Sequence, residues 1–519
     1  MAIKLNKDES QFRREIIFAA DSQTVNIENT MINLFMLLRF NGQRPRQRAR
    51  KDGDIEISTI RNAFSKLSEQ EDCVGFDKYP DGTELWVRSN LANMVNRGNL
   101  DKEKVSALRP IHLESYRVRN AANTKDRNSA DQVYLMLGAN PTVREDLKTF
   151  LLDGWDKTTE AIIAKDDLDV DSLGILHLIK NIKPGFLESE SSLNKIEPLL
   201  IEDAELYCDD VRRLLAYKNR IPRSVLIDYL KTITAFHLSR YIQKLVFLLP
   251  KMIEKGTIKT DFDWSIIVDT TDDFESRSAK LASEDFERLY NSLQDYIKAT
   301  YQISSIISAF DLNKNSSSSL EKALAILSNK NEEFDNTFKA RWTIKKAEIV
   351  DADDRELLDE VVKYEDSYFD KYIELILSIR SKYLFRKHIE MIDTLSFKNN
   401  ERGFLAQGRG RKHPRRYVLG TRLLETLVQI LVLESNGSNF QTRTQSIEEL
   451  IQNIRDRYGI IINGLAEDRF KDADLNTHLA FKENVEAFKL KLRQIGFYND
   501  LSDAYILQRI RPRYELNAQ

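Results

Sequence analysis

The stretch from Val225 to Leu249 most narrows what this chain can become. Leu226, Tyr229, Ile233, Phe236 and Leu248 fall near helical spacing, while Tyr241, Ile242, Leu245, Val246 and Phe247 widen the apolar surface until it nearly encircles the axis. A helix that is apolar on one side can lie on a surface, but one that is apolar all round must be covered on every side. The rest of the chain therefore has to pack around the C-terminal half of this segment, whose start is marked by Pro222 followed by Ser224. Its longest uninterrupted apolar run, Leu245 to Leu249, is far shorter than the ~20 residues of a membrane span, so the expectation is a soluble protein with no membrane partner. His237 sits beside Phe236 with no second His or Cys one turn away, which predicts a hydrogen-bonded core histidine rather than a metal ligand.

At 519 residues the chain exceeds the size at which one hydrophobic core stops growing, and its 18 Gly and 10 Pro are too few for a turn-dense β fold. The expected fold is a mainly α, multi-domain helical protein. It divides into a small α+β module over 1–140, a helical domain with a short strand over 141–275, a long-helix region over 276–400, and a basic loop with a winged-helix-like domain over 401–519. In the first module, Val25 to Arg39 reads as a helix and Ser58 starts another through Ile60, Phe64 and Leu67. Asp81-Gly82, between Phe76–Tyr79 and Leu85–Val87, reads as a hairpin. These elements permit a first winged-helix-like unit, with an ordinary α+β lobe as the plainer reading. Cys73 and Cys208 are too few for a zinc site, and with no secretory pattern before them they read as buried thiols of a cytoplasmic protein.

Farther along, Val361, Tyr364, Tyr368, Tyr372, Leu375, Ile379 and Tyr383 recur at steps of three and four, predicting one helix of about forty residues whose aromatic stripe is a packing seam. The last hundred or so residues read as three helices and a strand. The helices are Tyr417–Glu434, one opened by a capping box of Ser446 and Glu449, and Leu479–Ile495; the strand is Tyr505–Ile510. That order resembles a winged-helix domain, in which the third helix can enter the major groove and a basic wing touches phosphate. Lys482, Lys489, Lys491 and Arg493 then lie on or near the third helix and Arg509, Arg511 and Arg513 on the wing, while Glu483 and Glu486 count against DNA contact by that helix.

Charge supplies the functional clue. Arg402 to Arg416 holds six cationic residues (Arg402, Arg409, Arg411, Lys412, Arg415 and Arg416) and no acid, in a chain whose net charge is only −3. Such a local excess is unnecessary for solubility and points to an anionic partner, with DNA phosphate foremost. Arg44, Arg46, Arg48 and Arg50, with Lys51, form a second cluster around Pro45.

The catalytic alternative rests on Trp264 to Asp269, an apolar strand that delivers Asp269, Asp272 and Asp273 to its end, as metal-dependent nucleases place their ligands. The neighbouring acid–spacer–lysine is missing, since only Glu275-Ser276-Arg277 follows. Asp167, Asp169 and Asp171 alternate like an EF-hand start, but Ser172 and Leu178 replace the required Gly and Glu. Phosphate-loop, zinc-protease and serine-esterase signatures are absent from the sequence.

Arg402-Gly403-Phe404-Leu405, the Gly/Arg loop, and Tyr417-Val418-Leu419-Gly420 leading into Leu423-Leu424-Glu425-Thr426-Leu427-Val428-Gln429 together resemble helical non-ATPase subunits of bacterial multi-gene anti-phage systems, particularly the methylation-associated type. The resemblance implies work beside separate protein subunits, such as an ATPase or a nuclease, on phage DNA. The expected function is a non-catalytic, DNA-associated subunit without a cofactor; a metal-dependent nuclease subunit and a pure protein scaffold are the alternatives.

Overall fold

The computed structural model describes residues 5–47, 56–69, 75–99, 102–163, 168–180, 186–187, 192–260, 262–349, 351–409, 413–437, 439–498 and 509–516. The fold is mainly helical and is organised around the segment that the sequence marks as buried. Arg223–Lys255 forms one helix of 33 residues that continues through Pro250 and ends at Gly256 in the left-handed conformation. Helices Ile201–Leu215, Arg277–Ala309, Ser317–Ser328, Tyr368–Leu395 and Thr421–Leu431 all pack against this central helix. Leu226, Ile233, Tyr241, Ile242, Leu245, Val246 and Leu249 are consequently buried. His237 is fully enclosed, with Nε2 2.7 Å from the Asp210 carboxylate, in keeping with a core histidine. Cys208 is buried as well, and burial pushes its thiol up to about 12; Cys73 lies outside the described residues.

The largest apolar cluster runs from Ile16 to Ile510, so packing crosses all four expected segments. A second cluster, including Ile60, Phe64, Leu91, Leu108, Trp155 and Ile175, fills the N-terminal part. Here the expected hairpin at Asp81-Gly82 is replaced by a helix, Pro80–Trp86. Pro80 occupies its first turn, where a fixed φ and a missing N–H suit a helix start. Trp86 at its end packs on Phe64 and Phe76, with ring centroids 5.2 and 5.7 Å away. The hairpin forms later, from Ala92–Val95 and Lys104–Leu108.

The expected long helix is also divided. Ala352–Val361 and Tyr368–Leu395 are separate helices, because the Ser367 side chain accepts from the Asp370 amide and starts the second one. Tyr372 and Leu375 are buried in the seam as expected, but Tyr364 falls in the break and is 86% exposed.

The C-terminal third joins the helical body through a small sheet. Ile266–Ile267 pairs in parallel with Ile460–Ile461, and Asp269 bridges in parallel to Val418. Gly459 makes the first pairing feasible. Its left-handed φ of +71° ends helix Ile447–Tyr458, and a Cβ there would fall 2.3 Å from the Trp264 carbonyl oxygen. The capping box of Ser446 and Glu449 opens that helix as its sequence predicts. Tyr417 departs from expectation, lying in strand Arg415–Tyr417 while the helix begins at Thr421. The segment after that helix is a hairpin, Leu433–Asn436 against Asn439–Thr442. Gln445–Ser446 pairs antiparallel with Arg509–Ile510, and the rest of the expected final strand lies outside the described residues.

Candidate nucleic-acid interface

Leu405–Gln407 and Arg415–Tyr417 pair antiparallel, which turns the basic stretch into a hairpin with a described base and a partly described crest. Strand alternation sends successive side chains to opposite faces, and both faces at the base find acids. Arg415 makes a two-pronged contact with Asp393 of helix Tyr368–Leu395, Nε to Oδ1 at 2.8 Å and Nη2 to Oδ2 at 2.9 Å. Arg416 turns inward, where its Nε donates to Asp269 Oδ2 at 2.8 Å and its guanidinium lies 4.0 Å from the centre of the Phe274 ring. Both members of this pair are buried. Arg415 and Arg416 thus anchor the hairpin.

The crest differs. Arg409 is exposed and has no ion-pair partner among the described residues; Arg411 and Lys412 lie outside them. His413 folds back over Gly408 and packs on Phe274, with ring centroids 5.2 Å apart. Arg402, before the first strand, is held 3.5 Å from Asp228 of the central helix.

The three aspartates of the catalytic alternative are dispersed. Asp269 takes Arg416 on one oxygen and the Thr271 amide and hydroxyl on the other. Asp272, at a left-handed φ of 59°, reaches Lys491 of the terminal helix Leu475–Gln494 at 2.9 Å. Asp273 accepts from the Glu275 amide at 2.9 Å. Among the described residues, no group of three or more His, Cys, Asp or Glu side chains could hold a metal ion.

The terminal helix is fixed by a residue that the charge pattern does not reveal. Asn484, buried between Phe481 and Phe488, donates to the carbonyls of Val268 and Ile462 at 2.9 Å each. Its side-chain oxygen accepts from the amide and hydroxyl of Thr270 at 2.8 Å. A polar, uncharged residue set between Phe481 and Phe488 on the inward stripe is the signal by which it could have been found. The outward face carries Leu475, Leu479 and Leu490, respectively 72, 45 and 50% exposed, together with Lys482, Glu486 and Arg493. Lys489 is paired with Glu486 at 2.8 Å, and the Arg493 guanidinium lies 5.8 Å from the Tyr498 ring centre. This face lacks a row of cations.

On the last described segment, Arg509 and Arg511 are exposed without ion-pair partners among the described residues. Arg513 pairs with Glu425 and donates to the Ile495 carbonyl at 2.7 Å. In the N-terminal cluster, Arg44 grips Asp131 with Nε and Nη2. Burial pushes the Asp131 carboxyl up to about 6 even against that attraction. Arg46 begins a two-residue strand paired with Phe186–Leu187, and Arg48 and Arg50 lie outside the described residues. The described ends of the two basic clusters are therefore held by ion pairs within the fold, and the exposed cations among the residues singled out by sequence are Arg409, Arg509 and Arg511, with Lys482 and Arg493 on the outward face of the terminal helix.

No helix among the described residues is long and apolar enough to cross a membrane. A family model described as methylation-associated defense system protein MAD7 matches residues 7–514, and the chain belongs to that family. No curated protein matches it.

Proposed function

We propose that this component of a methylation-associated defence system is a non-catalytic, DNA-associated cytoplasmic subunit that touches phosphate through the crest of its basic hairpin. Defence-system membership implies other subunits, and on this reading an ATPase or nuclease subunit supplies the chemistry. The observation that carries the proposal is the division of labour along the hairpin. Ion pairs from Arg415 and Arg416 fix its base, while Arg409 projects from an acid-free crest. A rigid base reduces the ordering cost of each phosphate contact made at the tip.

The C-terminal unit is read as winged-helix-like. Its support is the succession of helices Thr421–Leu431, Ile447–Tyr458 and Leu475–Gln494, with Gln445–Ser446 paired to Arg509–Ile510. Exposed leucines on the third of these helices favour a partner protein over the major groove as its contact, leaving Arg509 and Arg511 as the second phosphate-facing group.

The test is fluorescence anisotropy of a generic DNA duplex with the full chain across a salt series. The intact chain is compared with a variant carrying Arg409→Ala, Arg411→Ala and Lys412→Ala. Arg415 and Arg416 must be left in place, since their loss would disturb the fold and imitate a binding defect. The expected result is salt-sensitive binding whose log–log slope shrinks by about one for each phosphate that the variant no longer neutralises. Equal binding by both proteins, or none by either, overturns the hairpin reading and leaves the protein scaffold. DNA cleavage with Mg²⁺ or Mn²⁺ that is abolished by Asp272→Ala overturns the non-catalytic reading.

A further inference from the structure

A cavity of about 640 Å³ opens where helix Ile201–Leu215 and the central helix meet the hairpin Leu433–Thr442 and helix Ile447–Tyr458. Its size falls in the ordinary range of small-ligand sites, ~300–1,000 Å³. The floor, lined by Asp203, Arg213, Arg240, Lys244 and Arg457, backs onto an ion network built from three buried or half-buried aspartates. Asp203 accepts from Arg240 and, at 2.9 Å, from Lys244. Asp209 accepts from Arg212, Arg213 and Arg457, each at 2.7 Å. Asp210 meets Arg457 Nε at 2.9 Å. His237 also faces Asp210, but burial lowers its pKa and leaves it neutral near pH 7. Arg212 is well exposed and lies outside the cavity lining; the four cations that do line it, Arg213, Arg240, Lys244 and Arg457, face the three carboxylates and leave one positive charge in excess.

An excess of buried positive charge is costly unless an anion answers it. A second observation points the same way. Gln445, 5% exposed, lines the cavity with a side-chain amide nitrogen that has no hydrogen-bond partner, while its oxygen is occupied by Asn453 at 2.8 Å. An unanswered donor lining the same cavity as Arg240 and Lys244 suits an acceptor-rich anion. The acids Glu202, Glu434 and Asp456 lie at the exposed rim, where water screens them, and Arg443 stands among them. Leu206, Leu431 and Leu433 supply an apolar wall. We infer that this cavity binds a small organic phosphate of nucleotide size, its phosphate against Lys244, Arg240 and the Gln445 amide and its organic part along the leucines. The site lies on a different set of elements from the basic hairpin, so it stands independently of DNA contact there.

The test is calorimetric titration of the full chain with AMP, GMP, CMP and UMP, with the corresponding nucleosides and inorganic phosphate as controls. Two variants accompany it. Gln445→Glu keeps the acceptor for Asn453 but replaces the free donor by a negative oxygen, and Lys244→Gln removes one floor cation while Arg240 still holds Asp203. The exposed rim variant Arg443→Ala serves where either of these fails to retain the wild-type melting temperature. The expected result is binding of at least one nucleotide, about tenfold or more tighter than its nucleoside or phosphate alone, and weakened about tenfold or more by Gln445→Glu or Lys244→Gln. If those two do not keep the fold, a measurable loss in Arg443→Ala is the supporting outcome. No nucleotide binding at millimolar concentration, equal binding of nucleoside and nucleotide, or unchanged binding in every folded variant overturns the inference.

Discussion

Arg416 and Arg409 belong to one acid-free stretch of sequence and sit in opposite surroundings. The first is sealed beneath Phe274 against Asp269, whereas the second projects into solvent from the same hairpin. Their difference teaches that local charge density in a sequence marks where cations are, but not which of them are free to meet a ligand. The deciding residues, Asp269 and Asp393, are distant in sequence and reach the hairpin through the fold. If the contrast holds, changes at the base should act on stability and changes at the crest on binding.

The sharpest attempt to break it is Arg416→Met. Removing one member of a buried pair leaves Asp269 charged and uncompensated, an effect of about 3–5 kcal/mol. Urea unfolding should register that loss, and adding Asp269→Asn should restore a substantial part of it. A variant as stable as the parent, yet defective on DNA, would make Arg416 a ligand contact and erase the distinction.

The buried half of the comparison extends to a titration. His388 lies among Phe12, Tyr296 and Ser22, bonded through Nδ1 to the Leu384 carbonyl, and burial lowers its pKa to about 4. An unfolded histidine titrates near ~6.5. Between these values the unfolded chain takes up a proton that the native one refuses, so stability falls as pH drops from about 6.5 to about 4. The contribution from this one group at pH ~4.5 is roughly 2–3 kcal/mol. Replacing His388 by Gln should flatten the dependence of unfolding free energy on pH across that window; an unchanged profile would assign acid sensitivity to other groups.

Legibility followed the same line between local and distant information. The central helix could be read because its apolar surface goes all the way round, and the start of helix Ile447–Tyr458 because Ser446 and Glu449 carry their own capping geometry. The division before Tyr368 had a local signal too, Ser367 with Asp370, but the tyrosine stripe continues across it and suggests one long helix. The Ala92–Leu108 hairpin has two short strands and a bulge that interrupts their register, so few positions are left for alternation to reveal it. At the candidate interface, composition disclosed the cations and the isolated strand ending in Asp269. It could not disclose that the two answer each other, or that Asn484 ties the terminal helix to both parallel segments.

Arg415→Gln tests the intermediate case. Arg415 is partly exposed and its partner Asp393 also accepts from Lys398, so a second cation remains when the guanidinium is removed. The expected destabilisation is about 1–2 kcal/mol, below that of Arg416→Met, with little change in DNA affinity beyond what loosening of the hairpin produces. A loss as large as that at Arg416 would show that exposure does not rank the two base residues.

Arg409→Ala should have the smallest effect on stability, within about 0.5 kcal/mol, because an exposed side chain without an ion-pair partner among the described residues leaves no buried group unsatisfied. Its signature is instead a shallower salt dependence of DNA binding by about one unit of log–log slope, with the unfolding midpoint unchanged. The pairing of outcomes matters more than either alone. An unchanged midpoint with unchanged binding would remove the crest as a contact, while a lowered midpoint would mean that Arg409 is supported by the fold as Arg416 is. Only a binding change at constant stability keeps the two ends of the hairpin distinct.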